Sequence, residues 1–209
     1  MSSYGSRIQR IIPDRERIED EHQKETSGYR YSPNPMTREF KRIDLLPSWA
    51  DPTARRKGCY LDIALLHQTP RRLCALASRL SHESWEKSTE DTDKSLLERL
   101  ASQGEEHGKS LRGHVLILAI EGPRYWWVEM DAYTVGVIPM GSTSTMYGEA
   151  KRLSGEELVR VKSELPEGTL QLRIRAFSEQ TLQRIIKQQK NHRLPEWQEF
   201  CSFVEHIIN

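Results

Sequence analysis

The chain has 209 residues, of which 36% are hydrophobic and 29% charged, and its formal net charge is +1. This apolar content suffices for one folded core, while the balanced charge gives no electrostatic reason to expect binding to nucleic acid or to an anionic membrane. The longest apolar run, Val115–Ile120, is much shorter than the roughly 20 residues of a membrane-spanning helix. The three cysteines are widely spaced and the N-terminus shows no signal-peptide pattern, so a cytoplasmic location is expected.

Residues 1–47 differ from the rest of the chain because they are rich in charged residues, Pro, Gly and Ser and poor in aliphatic residues. Such a composition does not bury enough apolar surface to fold by itself. We therefore predict a polar N-terminal arm that is either mobile or laid over a partner surface. A short helix starting at Pro13 is compatible with this segment. Residues 48–209 are predicted to form a single α+β domain.

The first half of this domain is predicted to contain one strand and two helices. Cys59–Leu66 is apolar and is predicted to be a strand, and Thr69 and Pro70 are typical of a helix start. The stripe expected to face the core along that helix comprises Leu73, Leu76, Ala77 and Leu80. Glu83–Asp93 is polar and is predicted to be a loop, which a short amphipathic helix follows over Lys94–Gln103.

Two of the three central elements allow two interpretations. His114–Glu121 is a continuous apolar run that fits either a buried strand or the centre of a helix. Pro123–Tyr133 begins with a proline at a helix-start position and is predicted to be helical. Thr134–Ser144 is rich in Gly, Thr, Ser and β-branched residues, so a loop and a strand are both compatible with it.

The C-terminal third of the chain has the clearest periodicity. The residues from Ser154 match a capping box, so a helix is predicted from there to Pro166. Thr169–Phe177 alternates apolar and polar residues, which predicts a half-buried strand. Ser178 is expected to cap the following helix, and Pro195 to open a last one. The residues predicted to form the core side of the last helix are Trp197, Phe200, Cys201, Val204 and Ile208.

Two local features are candidates for ligand binding. Trp126 and Trp127 either stack on a base or a flavin ring or simply fill the core, which is the commoner use of such residues. Gly141–Tyr147 is rich in hydroxyl groups that suit a phosphate or a ribose, although Ser and Thr also fill ordinary turns. The candidate binding residues of this turn are Ser142, Ser144 and Tyr147.

Positive charge is concentrated near the end of the helix predicted after Ser178. The cations there are Arg184, Lys187, Lys190, His192 and Arg193. They either complement the negative end of the helix dipole or form an anion site near the hydroxyl-rich turn. The sequence contains no metal-binding histidine motif, cysteine pair or glycine-rich phosphate loop of standard spacing, so no metal site is predicted.

A series of short motifs extends from His107 to the last helix. They are the His114–Glu121 segment, Pro123-Arg124, Ser144-Thr145-Met146-Tyr147, Leu165-Pro166 and Pro195-Glu196-Trp197-Gln198. In order and spacing they resemble the flavin-dependent thymidylate synthases, also called the thymidylate synthase-complementing or ThyX family, and most of all its divergent phage-type relatives. The resemblance covers about half of the chain. It implies a ThyX-like α+β fold with a mixed sheet and packed helices, and a homotetramer with nucleotide pockets between subunits.

The resemblance also implies which residues bind ligands. The expected nucleotide-binding residues are Arg124, Ser142, Ser144, Tyr147, Lys187, Lys190 and Arg193. Lys190 stands where the family has an arginine that grips the pyrimidine. The family's Arg-His-Arg signature is replaced by residues 131–135, which begin with Asp131, and Met146 replaces another arginine. Because those arginines hold flavin and nucleotide phosphates, we expect no cofactor, although the family binds FAD.

The function expected from the resemblance is that of a phage thymidylate synthase-like protein. It would bind a pyrimidine nucleotide and act in nucleotide or modified-base metabolism, in the cytoplasm of the host. If it is an enzyme, it would transfer a methyl or hydroxymethyl group, and no catalytic residue is assigned. Two alternatives stay open, namely a non-catalytic protein that sequesters a host signalling nucleotide and a purely structural interaction protein.

Overall fold

The structure, a computed structural model, describes residues 39–104, 106–145 and 148–208. Its centre is a five-stranded sheet in the order β1-β2-β3-β5-β4. The strands are β1 (Ala54–Lys57), β2 (Asp62–Gln68), β3 (Val115–Pro123), β4 (Val137–Ser142) and β5 (Leu170–Ser178). All neighbouring strands run antiparallel. The predicted α+β class is confirmed, with an antiparallel sheet in place of the expected mixed one.

The α-helices lie between and after these strands. They are α1 (Arg72–Arg79), α2 (Glu90–Ser102), α3 (Arg124–Met130), α4 (Gly155–Ser163), α5 (Glu179–Gln189) and α6 (Pro195–Ile208). This arrangement decides between the two interpretations of each central segment: the apolar run from His114 to Glu121 lies mostly in β3, and the segment from Thr134 to Ser144 contains β4. None of the described helices is both long enough and apolar enough to cross a membrane.

Helices α3, α5 and α6 pack on one face of the sheet and form the main core. Trp126, Trp127 and Trp197 are inaccessible to solvent, and the ring centroids of Trp126 and Trp197 lie 5.3 Å apart. The adjacent tryptophans of α3 therefore fill the core. The predicted core side of α6 is confirmed, since all of its members are buried: Trp197, Phe200, Cys201, Val204 and Ile208.

The opposite face of the sheet carries two buried carboxylates. Asp62 and Glu121 are direct cross-strand partners on β2 and β3, and both are inaccessible to solvent. Arg55 donates two hydrogen bonds to Asp62, of 3.0 and 2.6 Å. The guanidinium of Arg42 donates to Glu121 at 2.8 Å, and the backbone N–H groups of Lys41 and Arg42 donate to the same carboxylate. These contacts attach the segment before β1 to the sheet.

Helix α1 is rotated relative to the prediction. Leu73, Leu76 and Leu80, which were expected to face the core, are 55%, 41% and 58% exposed. The buried side of the helix is formed by Cys74 and Ala75, two small residues. The prediction of an inward leucine stripe is therefore wrong, and the stripe forms an apolar surface on the outside of the domain.

Two ion pairs fix the rotation of α1. Arg71, just before the helix, donates to the buried carboxylate of Glu179 at 2.9 and 2.7 Å. Arg79 is buried at the other end of the helix and contacts Asp93 of α2 at 3.0 Å. Burying a charge without a partner is costly, so these pairings outweigh the gain from turning three leucines inward.

Some predicted helix starts are confirmed and others are wrong: α6 begins at Pro195 as expected, whereas α1 begins at Arg72 and not at Pro70. Ser178 caps α5 as predicted, by accepting the N–H of Thr181 at 3.3 Å. Thr89 and Thr92 form a reciprocal capping box, so α2 begins at Glu90, inside the predicted loop. The capping box predicted at Ser154 is wrong, because the Ser154 side chain makes no cap hydrogen bond to the described start of α4.

A carboxylate of α6 closes the turn between β1 and β2. Glu199 accepts hydrogen bonds from the backbone N–H groups of Cys59, Tyr60 and Leu61 at 2.9, 3.0 and 2.9 Å. A Cβ atom at position 58 would overlap Oε2 of Glu199, so a larger residue there would have to displace this carboxylate. Because this turn uses residues 59–61, the strand predicted to begin at Cys59 starts at Asp62 instead.

Candidate functional site

A pair of arginines on β5 lies against helix α3. Arg173 and Arg175 are two residues apart in the strand, so their side chains leave the same face of the sheet. Their guanidinium carbons lie 4.7 and 5.0 Å from the centroid of the Trp127 ring, within the range of cation–π contacts. Two positive charges are thus held side by side at the edge of the main core.

Asp131, which follows α3, bridges the two guanidinium groups. Nη1 of Arg173 donates to both carboxylate oxygens at 3.1 and 3.0 Å, and Nη2 of Arg175 donates to Oδ1. Burial disfavours the charged form of this carboxyl, but hydrogen bonds from Arg175 and Arg173 and their charges outweigh burial and hold the pKa of Asp131 below its usual value. The carboxylate is therefore ionised at neutral pH.

Neighbouring groups hold the arginine pair in place. The side-chain oxygen of Gln171 accepts from Nε and Nη2 of Arg173 at 3.3 and 2.8 Å, and its backbone carbonyl accepts from Nε1 of Trp127 at 3.1 Å. Nε of Arg175 is buried and has no hydrogen-bond partner among the described residues. A buried donor without a partner costs free energy, so this atom marks a position where an additional acceptor would be stabilising.

The hydroxyl-rich turn begins beside this pair. Ser142 of β4 pairs directly with Arg173 of β5, so both side chains leave the same face of the sheet. The next residue, Thr143, donates its N–H to the carbonyl of Leu172 at 2.8 Å and accepts the N–H of Leu172 on its hydroxyl at 3.1 Å. These two bonds fix the start of the turn, so Ser142 is held next to the arginines.

The later residues of the turn lie beyond the strand. Ser144 is exposed, and the hydroxyl of Thr145 accepts a hydrogen bond from the ammonium group of Lys162 on α4. Lys162 therefore adds a third cation near the turn, and sequence analysis did not identify it. Tyr147, which was predicted to bind the ligand, lies outside the described residues.

Arg124 opens α3, at the end of the helix opposite to Asp131. Its guanidinium donates to the carbonyl of Leu165 at 3.1 Å and lies 3.6 Å from the carboxylate of Glu167. In the structure Arg124 thus connects the start of α3 to the loop before β5. Its predicted contact with a nucleotide stays a prediction.

The other predicted cations lie at the end of α5 and in the turn after it. Lys187, Lys190 and Arg193 have exposed side chains. Burial raises the pKa of Cys201 on α6 to about 12, Glu205 adds to the rise, and the charge of Lys190 partly offsets it. Lys190 is therefore close to α6, whereas the arginine pair faces α3. A role for these three cations in binding stays a prediction.

Arg173 and Arg175 are not among the site residues predicted from the sequence. Their alternation with apolar residues assigned them to the solvent side of a half-buried strand, but α3 packs on that side. Only burial of the two arginines requires an anion or an aromatic ring as a partner, since arginines that face solvent are hydrated by water. The Trp-Trp pair of α3 supplies the ring, and Asp131 supplies the anion.

Comparison with known proteins identifies the fold. No protein-family model matches the chain, and no curated protein matches its sequence. Two solved structures of the flavin-dependent thymidylate synthase of Helicobacter pylori, both with FAD and dUMP, match with a TM-score of 0.56 each. They are 16% and 17% identical to this chain, and the matches cover 68% of it and 90% and 91% of the Helicobacter chains. The chain has the fold of a flavin-dependent thymidylate synthase. The fold predicted from the order of motifs is confirmed.

The same structures correct the prediction about cofactors. The sequence predicts no cofactor, because Asp131 and Met146 stand where the family has arginines. That expectation is wrong, since solved structures with this fold contain FAD. The expectation considered only these two positions, whereas Arg173 and Arg175 of β5 place two positive charges beside Asp131. Losing an arginine at one position therefore does not remove positive charge from this region.

Proposed function

We propose that the protein binds a phosphorylated pyrimidine nucleotide and a flavin, and that it acts on the nucleotide in nucleotide or modified-base metabolism. The observation that carries this proposal is the arginine pair of β5, held beside Ser142 in a fold whose solved examples contain FAD and dUMP. Both of those ligands are anions, and phosphate oxygens are bound best by charged donors. Phage origin and the host cytoplasm stay predictions from the sequence.

The donor set fits the diphosphate of FAD as well as the monophosphate of a nucleotide. Guanidinium groups bind phosphate oxygens through paired N–H donors, and Nε of Arg175 is a donor without a partner among the described residues. Arg173 and Arg175 would hold the phosphate oxygens, and the hydroxyl of Ser142 would donate to one of them. A bound flavin supplies redox chemistry, while the chain supplies binding, orientation and electrostatics.

The residues predicted from the sequence complete the proposed binding surface. Lysine provides a point charge for an anion, and Lys187, Lys190 and Arg193 are exposed to solvent as such a role requires. Arg124, Ser144 and Tyr147 are the remaining proposed contacts. These residues would contact parts of the ligand other than the phosphate held by the arginine pair.

Replacing Arg173 with glutamine is expected to weaken binding of dUMP or FAD about 10- to 150-fold, because a hydrogen bond to a charged group contributes about 1.5–3 kcal/mol. Isothermal titration calorimetry on the full chain measures this change. Arg160→Gln is the matched control, since Arg160 is exposed on α4 and its loss removes the same charge. If the unaltered chain binds neither dUMP nor FAD, the proposed function is wrong. If Lys190→Gln loses affinity while Arg173→Gln does not, the phosphate site lies at the end of α5.

We also propose that the protein is a homotetramer, as the family resemblance implies. The exposed leucines of α1 support association, because an apolar stripe on the outside of a domain is stabilised when another surface covers it. Light scattering at micromolar concentration is expected to give four times the 24.3 kDa mass of the chain. A mass equal to that of one chain would reject the tetramer, and a pocket between subunits with it.

A further inference from the structure

The carboxylate of Asp131 occupies only part of the donor set that the arginine pair offers. It accepts from one nitrogen of each guanidinium, Nη1 of Arg173 and Nη2 of Arg175. Nε of Arg175 stays buried without a partner among the described residues, although Arg175 is only 5% exposed. A phosphate has more acceptor oxygens and a higher charge than a carboxylate, so it would satisfy donors that Asp131 leaves unmet.

Asp131 is also more easily displaced than either Arg173 or Arg175. Its side chain is 48% exposed, whereas those of Arg173 and Arg175 are 19% and 6% exposed. The guanidinium groups are held by the ring of Trp127, and Arg173 is held by Gln171 as well. Asp131 is moreover the C-cap residue of α3, where the negative end of the helix dipole disfavours a carboxylate. Exchange therefore requires the movement of one short, exposed side chain and leaves the arginines in place.

We propose that Asp131 is an internal competitor for the phosphate site. Its carboxylate occupies the arginine pair in the ligand-free protein and is displaced when a phosphate group binds. Asp131 thereby selects for ligands with a phosphate group, because a nucleoside or a ligand with a single carboxylate gains too little from the arginines to displace it. This inference rests on the proposed function, since it concerns the same arginine pair.

The test compares phosphate affinity in variants that remove the competing carboxylate. Asp131→Asn and Asp131→Ala are each expected to bind inorganic phosphate and dUMP about two- to fivefold more tightly than the unaltered chain, the size expected for losing one partly exposed carboxylate–arginine contact. Affinities are measured by calorimetry on the full chain at constant ionic strength, because a change in salt concentration would alter the affinities by screening the charges. Melting temperatures without ligand show whether each variant is folded.

Asp51→Asn is the matched control. It removes the same charge from an exposed residue before β1, at the opposite edge of the sheet from β4 and β5. We expect this variant to bind phosphate as the unaltered chain does. An equal gain in Asp51→Asn would assign the effect to net charge and overturn the inference.

Arg173→Gln separates failure of this inference from failure of the proposed function. Weaker phosphate binding in Arg173→Gln together with tighter binding in both Asp131 variants supports the competition. If Arg173→Gln binds phosphate weakly but the Asp131 variants bind it no better than the unaltered chain, Asp131 orients the arginines; the inference is then overturned and the proposed site stands. If Arg173→Gln binds phosphate as before, the arginine pair is not the phosphate site, and the inference fails; the proposed function then stands only if the unaltered chain still binds dUMP or FAD.

Discussion

Replacing Trp197 with alanine is expected to lower the free energy of unfolding by about 3–5 kcal/mol, the usual cost of deleting a buried large aromatic side chain. The indole is inaccessible to solvent, and its ring centroid lies 5.3 Å from that of Trp126 and 5.8 Å from that of Tyr133. Its Nε1 donates to Glu129 at 2.7 Å, so truncation also removes a donor from this carboxylate. Urea denaturation followed by circular dichroism measures the loss.

Trp49→Ala is the control for this experiment, because the Trp49 side chain is 87% exposed. Its effect on the free energy of unfolding is expected to stay within about 0.5 kcal/mol. If Trp197→Ala cost less than about 1 kcal/mol, the packing of α6 against α3 would be wrong. Trp197→Phe is expected to fall between the two, since it retains a ring but loses the hydrogen bond to Glu129.

Replacing Glu179 with alanine is expected to destabilise the protein by about 3–5 kcal/mol, because removing one partner of a buried ion pair leaves the other charge unpaired. Glu179 is inaccessible to solvent and binds Arg71 through two hydrogen bonds. Its Oε2 lies 2.8 Å from Nδ1 of the buried His114, and Nε2 of Gln183 donates to its Oε1 at 2.8 Å. The loss is measured by denaturation at neutral pH.

Glu156→Ala is the matched control for Glu179→Ala. Both glutamates lie in the first turn of a helix, where the interaction of a carboxylate with the helix dipole stabilises the folded protein by about 0.3–1 kcal/mol. Glu156 is exposed, so its replacement measures the stability lost when a carboxylate that is not buried is removed from this helix position. Equal losses in the two variants would show that the contacts of Glu179 with Arg71 and His114 add nothing to stability.

The sequence predicted those elements whose apolar residues repeat with a single period. Strand β5 alternates every second residue, and helix α6 presents large apolar residues at helical spacing, so burial on one side decides the structure of both. Strand β1 was not predicted, because Ala54–Lys57 is mostly charged and forms an edge strand through pairing with β2 alone. Backbone pairing of this kind leaves no pattern in the side chains.

Charge pairs explain most of the other differences between prediction and structure. The rotation of α1 is set by Arg71 and Arg79, whose partners lie in α5 and α2. Likewise Asp131 meets Arg173 and Arg175 only because α3 crosses the polar side of β5. Each of these partnerships joins residues that are distant in sequence, so hydrophobic periodicity carries no information about them. The arginine pair was therefore visible only in the folded chain.

The contact of Glu199 with the turn between β1 and β2 bears on how this domain is made. The carboxylate and the three N–H groups that it accepts are 138 to 140 residues apart in the chain. Contacts across such separations form slowly, and a nascent chain lacking them exposes sheet edges and apolar surface. The turn between β1 and β2 therefore gains these three hydrogen bonds only after α6 has been synthesised. A chain that ends before α6 lacks this contact and exposes the apolar face of the sheet that α6 covers, so we expect such a chain to aggregate.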